Sequence, residues 1–243
     1  MFRPILFIII LAALIAYKPV EAQEGGQYFT LGYSVEEFQT LGPYNKVIDD
    51  FNEQKILEKA DVISKLEAPG FLKGIALGVK GNQKFLSWGG DLHFHKYKDI
   101  AKGYDTLDNY YYKKIQVSHN GFGMFLTLNL IPGKNFRMGP GVALNIEQYY
   151  NKTKNTDNWT YNPRLSTDIF LLSSTFRFPI SIGGPKFNLD IIPYYFFPFW
   201  NVNFQNFNHD INMGYEKAYS KEEMAFSPAN TGVLVNLCFS LKK

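Results

Sequence analysis

Three things are scarce in this chain: cysteine, histidine and long apolar runs. Cys238 is the single cysteine in 243 residues, so no intrachain disulfide can form. There are only four histidines, and beyond residue 22 no stretch is apolar for the ~20 residues that a membrane-spanning helix requires. The formal charge of +3 is too nearly balanced to leave an electrostatic footprint for nucleic acid, so no nucleic-acid partner is expected. Nothing in the sequence calls for a cofactor.

The one long apolar run lies at the start, in MFRPILFIIILAALIAYKPVEAQ, where Arg3 precedes an apolar segment from Pro4 to Tyr17. It closes on Val20-Glu21-Ala22, a small-residue cleavage pattern. The run is too short to span and reads as a secretory signal peptide over residues 1–22, leaving 23–243 as a single domain. An uncleaved N-terminal anchor is the alternative, and with either the chain leaves the cytoplasm. Losing Arg3, Lys18 and Glu21 would take the formal charge from +3 to +2. An exported domain without disulfides must be stabilised by a large core or by a membrane.

Aromatic residues are abundant, with 22 Phe, 16 Tyr and 3 Trp making 17% of the chain, yet the mean hydropathy is slightly negative. The two facts are reconciled by a period of two, which in a strand places alternate residues on opposite faces. One face carries Phe29, Leu31, Tyr33 and Val35; then Ile75, Leu77 and Val79; then Leu86, Trp88, Leu92 and Phe94. The series continues with Phe122 to Leu130, Val142 to Ile146, Phe170 to Ile180, Phe187 to Phe199 and Val233 to Leu241, eight segments in all. Their connections alternate. Gly81-Asn82-Gln83, Pro132-Gly133-Lys134-Asn135 and Gly183-Gly184-Pro185 are short turns, whereas about 36–70, 97–111, 151–165 and 201–230 are long. Short turns on one side and long loops on the other, with aromatic residues at the strand ends, predict an all-β fold: an eight-stranded antiparallel transmembrane β-barrel.

The export signal, the eight alternating segments, the opening GGQYFTLGYSV and the final TGVLVNLCFSLKK together resemble the small outer-membrane β-barrel proteins of the Bacteroidota type. The resemblance implies the outer membrane of a Gram-negative bacterium, with outer-membrane lipid as the surrounding partner, and implies no single activity. Such barrels end in a strand with a terminal aromatic residue; here Phe239 is followed by Ser-Leu-Lys-Lys, a departure from that pattern.

Eight strands enclose a lumen that side chains fill. The inward set Lys80, Asp91, Arg137, Glu147, Arg177 and Asp190 holds three cations and three carboxylates, which must pair in so narrow a space. A salt-bridged plug is expected, centred on Arg137 and Arg177, with a narrow channel or ligand-binding barrel as the alternative. The 36–70 connection breaks the period of two. Val47, Ile48 and Phe51 fall on one helical face and Ile56, Ala60 and Ile63 on another, predicting a helical segment in the first external loop that caps the mouth, lies on the membrane surface or binds another outer-membrane or surface protein. The 201–230 loop, rich in Asn, Phe and Tyr, suits contact with protein or sugar, and Asn151-Lys-Thr153 and Asn158-Trp-Thr160 match glycosylation sequons by chance.

Chemistry concentrates in WGGDLHFHKY, where Asp91, His93 and His95 share the inward face. The two histidines, with Asp91 beside them, could hold a metal if a third ligand came from a neighbouring strand or loop; otherwise they form a hydrated rim. Ser118-His119 begins a strand and would serve hydrolase chemistry only with a base and an orienting partner in contact, a contact that nothing in the sequence shows. The leading expectation is a non-enzymatic barrel with a plugged lumen whose loops bind a partner or support a cell-envelope complex. A membrane-interface lipid or peptide hydrolase or acyltransferase is the runner-up.

Overall fold

The computed structural model describes residues 26–39, 41–57, 61–104, 107–108, 110–155, 164–212 and 217–241, without the side chains of 56–57, 155 and 164–168. The expected signal peptide and Ala60 lie outside the described residues, and so does the Ile56 side chain.

Eight strands pair antiparallel in chain order: β1 (Gln27–Phe38), β2 (Phe71–Asn82), β3 (Leu86–Tyr104), β4 (Tyr110–Leu128), β5 (Gly141–Asn155), β6 (Arg164–Arg177), β7 (Phe187–Pro198) and β8 (Asn230–Ser240). The ladder returns to its start because β8 pairs with β7 on one edge and β1 on the other, with Leu237 set against both Leu189 and Leu31. The eight strands therefore form a closed ring of pairings. Six short strands supplement it, at Asp61–Ser64, Ile131–Pro132, Phe136–Met138, Ile180–Gly183, Val202–Asn203 and Ala225–Phe226. Two of them continue β5 and β6 past Pro140 and Pro179, which carry no N–H and interrupt the ladder. At the Gly183 turn φ is +143°, a conformation that favours glycine, and the Gly184 amide donates to the Phe187 carbonyl at 2.8 Å.

Outward side chains form an apolar belt around the ring. Leu31, Ile75, Phe94, Leu126, Leu144, Phe176, Phe197 and Val235 are all exposed, Leu144 by 67% and Phe176 by 61%. Among the described residues no helix is long and apolar enough to cross a membrane.

The long connections are shorter than their sequence suggests. β3 and β4 run 19 residues each and β5 runs 15, so most of the expected 97–111 loop and the first residues of the 151–165 loop are strand. In these extensions the pattern inverts. On β4, Phe122, Met124, Leu126 and Leu128 point outward, but nearer its start the apolar residues are the inward Ile115 and Val117, both buried, while Lys114 and Gln116 face out. The reversal places an apolar core inside the upper ring and a polar surface outside it.

That core is filled by two helices. α1 (Gly42–Leu57) starts with Pro43 in its first turn, where a missing N–H costs nothing. It buries Tyr44, Val47, Ile48 and Phe51, the i, i+3, i+4, i+7 face. α2 (Gln205–Ile211), inside the segment read as an aromatic loop, buries Phe207 and Ile211 with Phe204 at its start. These pack with Phe38, Leu72, Ala101, Tyr149, Leu171, Met224 and Phe226 into one cluster. Phe204 stacks on Phe226 at 4.9 Å and meets Tyr44 edge-on at 4.6 Å. The Tyr44 hydroxyl bonds Tyr149 and donates to Asn151 at 2.8 Å.

Three expectations are corrected here. Val47, Ile48 and Phe51 are buried in the plug and offer nothing to an external partner. Ile63 is not helical but lies in the Asp61–Ser64 strand, which pairs with β3, and it is exposed. Asn151 of the first sequon is fully buried at the Tyr44 hydroxyl, not placed in an external loop. At the rim, Lys217 meets Asp50 at 2.5 Å and the Tyr219 hydroxyl donates to the same carboxylate at 2.6 Å. Burial and that carboxylate push the Tyr219 phenol up to about 12.

Phe204→Ala removes the ring at the centre of the plug. It is expected to cost about 3–5 kcal/mol, read as a lowered denaturant midpoint of the folded protein in detergent.

Candidate functional site

Below the aromatic plug the ring interior becomes polar in layers. Lowest is Lys80, whose ammonium meets Asp190 at 2.7 Å and donates to Ser181 at 3.0 Å. Above it Arg177 meets Asp91 at 3.1 Å, its guanidinium lying 4.0 Å over the Phe125 ring. Four of the six inward charges thus form two ion pairs. Glu147 joins the histidines of the next layer. Arg137 stands apart in the short Phe136–Met138 strand near the turns, half-buried, with its Nε lacking a hydrogen-bond partner. The expected centre on Arg137 and Arg177 is therefore corrected: Arg177 sits mid-ring and Arg137 does not.

The next layer up collects three of the four histidines at the level where the outward pattern changes from apolar to polar. His93 and His95 come from β3, and His119 is placed by β4 directly opposite His95. Ring centroids are 5.3 Å apart for His93 and His95, 5.5 Å for His93 and His119, and 5.9 Å for His95 and His119. Glu36 on β1 and Glu147 on β5 face them from opposite sides. Glu147 approaches His93 Nε2 at 2.7 Å and His119 Nε2 at 3.4 Å. Glu36 accepts from His119 Nδ1 at 2.8 Å and from the Tyr194 hydroxyl at 3.1 Å. Ser34 bonds His95 Nε2 at 2.5 Å.

The cluster is not a hydrated rim. His95 is 3% exposed, His119 1%, Glu36 2% and Glu147 0%. Glycine makes the approach possible, because a Cβ on Gly121 would fall 1.7 Å from Glu147 Oε2. A cavity of about 50 Å³ opens beside the histidines, reaching Arg177, Tyr194 and Phe196, room for a few waters.

The side chain that a neighbouring strand brings up to His93 and His95 is His119. Asp91, grouped with the histidines in the sequence, is 4.0 Å from His93 Nδ1 and committed to Arg177, so it stands behind the cluster. Glu36, Ser34 and Tyr194 were missed as site residues. Ser34 shows the inward phase of β1, but Glu36 falls at the start of the segment taken for a loop. Ser118, next to His119 in the sequence, accepts from Gln116 at 3.3 Å. The structure instead brings Ser34, His95 and Glu36 together, with Glu36 Oε1 3.7 Å from His95 Nδ1.

No family model and no curated protein matches the chain. Among solved structures, the attachment invasion locus protein Ail of Yersinia pestis is similar at TM-score 0.43 and 8% identity, over 90% of this chain and 99% of that one. The same protein in complex with the heparin analogue sucrose octasulfate gives TM-score 0.42 at 8% identity, with the same coverage of both chains. The outer membrane protease OmpT from Escherichia coli gives 0.39 at 8% identity, over 93% and 99%.

Removing one partner of a buried pair strands the other charge. Arg177→Met is expected to destabilise by about 3–5 kcal/mol in chemical unfolding, and adding Asp91→Asn should recover a large part of that loss.

Proposed function

We propose that the chain is an exported, integral outer-membrane barrel of a Gram-negative bacterium. In this reading its lumen is permanently plugged, it performs no turnover, and its work is done by the wall that rises above the lipid. The observation that carries the reading is the combination of a ring closed at β8 with an apolar belt on its outer face and an interior filled, among the described residues, by ion pairs and an aromatic cluster. Closed strand rings meet the requirement that hydrocarbon places on backbone N–H and C=O groups, and an apolar outer face meets the lipid.

The raised wall has a defined character. On its outward face Lys96 and Lys98 of β3 neighbour Lys114 of β4 and Lys152 and Lys154 of β5, through the Lys98–Gln116–Lys152 and Lys114–Lys154 registers. A lysine face just above an apolar belt suits the phosphates of outer-leaflet lipid. The burial of the α1 apolar face moves the binding surface from the helix to this wall.

A second reading rests on one observation, the Ser34, His95 and Glu36 arrangement, which has the members of a hydrolytic triad. Two features weigh against it. Glu36 bonds His119 more closely than His95, and Ser34 is 2% exposed beneath the plug, closed to lipid and peptide alike.

The folded protein should migrate faster on an unheated gel than after boiling and give no single-channel conductance in planar bilayers. Stable conductance steps would sink the plugged reading, and Ser34-dependent labelling by a fluorophosphonate would sink the non-enzymatic one. Reversing Lys96, Lys98 and Lys152 to Glu should reduce the anionic lipid that co-purifies in mild detergent, with the heat shift unchanged.

A further inference from the structure

We infer that His93, His95 and His119, with Glu147, bind one divalent transition-metal ion inside the barrel. Zinc is the representative of the class that takes imidazole and carboxylate ligands. One ligand atom from each of the three histidines lies within 4.8 Å of the others. A tetrahedral site with metal–nitrogen bonds of about 2.0–2.1 Å sets its ligand atoms roughly 3.4 Å apart, so side-chain shifts of the order of an ångström close the set. The existing 3.4 Å from His119 Nε2 to Glu147 Oε2 already has that length.

Independent support comes from the atoms left over. His95 Nδ1, His119 Nε2 and Glu147 Oε1 are buried and have no hydrogen-bond partner. In each case the hydrogen bond made by the other atom explains which one is free. His119 donates Nδ1–H to Glu36, leaving the Nε2 lone pair toward Glu147. In the tautomer that a metal would select, His95 gives its Nε2–H to Ser34 and leaves Nδ1 as an acceptor. A carboxylate behind His119 and a hydroxyl behind His95 are the arrangement that fixes a tautomer and aims a metal ligand.

Charge points the same way. Glu36 and Glu147 are enclosed, and among the described residues no lysine or arginine pairs with either; Lys80 and Arg177 are taken by Asp190 and Asp91. A divalent cation among three imidazoles supplies the compensation that two enclosed carboxylates need. The plug above closes the site to solvent, so the ion is structural, tying β3, β4 and β5 together at the top of the apolar belt.

The test uses full-length protein with a non-histidine tag, refolded in detergent with Zn2+ present, dialysed, and analysed for metal content on the heat-shifted form. One equivalent retained is expected. Refolding with Co2+ should give the intense visible absorption of a four-coordinate ion. His95→Gln and His119→Gln should each lower retention at least tenfold, and Glu36→Gln, a positioning residue behind His119, should weaken binding about 10–100-fold. Gly121→Ala displaces Glu147 with all three histidines intact and should alter the Co2+ spectrum. His209→Gln, outside the cluster, should change nothing. Folded wild type that retains no metal, a six-coordinate Co2+ spectrum, or full retention in the His95→Gln/His119→Gln double variant would overturn the assignment. The wild-type arms decide the question even if the variants do not fold.

Discussion

A strand surrounded by hydrocarbon has no water to bond its amides, so every N–H and C=O on its edges must find another strand. That constraint is met here by the double pairing of β8, and the rest of the structure follows from it. Once the ring closes, side chains have only two places to go. Apolar residues take the outer face, and whatever remains must fill a space too narrow for bulk water. The interior is consequently assembled from groups that satisfy one another: Lys80 with Asp190, Arg177 with Asp91, and the histidines with Glu36 and Glu147.

Where the ring leaves the belt, the same alternation runs in opposite phase. Outward positions become Lys96, Lys114 and Lys152, and inward ones become Ile115, Val117 and Tyr149. The upper wall is then the shell of an ordinary protein core, made of α1, α2 and aromatic rings. The histidine cluster sits where the two regimes meet, with His95, His119 and Tyr149 in one cross-strand row and His93, Gly121 and Glu147 in the next. Tyr149 belongs to the plug and Glu147 to the polar lumen, so a shift of two residues along β5 crosses the boundary.

How much of this was legible depended on which phase a segment used. A search for apolar residues facing out finds every segment that crosses the belt, and its eight segments match the ring. It stops at Phe94, Ile146 and Phe122, because beyond them the apolar residues turn inward, and so it misassigned strand 97–104 and 151–155 as loop. The α1 face at Val47, Ile48 and Phe51 was readable from its spacing, but spacing does not say which surface receives it. The seven residues of α2 are too few to establish a helical period. His119 could be placed on a strand but not opposite His95, since register depends on the ring as a whole. Glu36 was hidden for the same reason as the wall extensions.

The central claim, that the ring stands in lipid with its apolar face outward, is tested most directly by spin labels placed one at a time from Val142 to Ile146 on β5, with Cys238 replaced by serine. In reconstituted bilayers, collisions with lipid-soluble oxygen should be frequent at Val142, Leu144 and Ile146 and rare at Ala143 and Asn145, with a water-soluble relaxant reaching neither set. Equal access along the strand, or water-phase access at Leu144, would contradict the account.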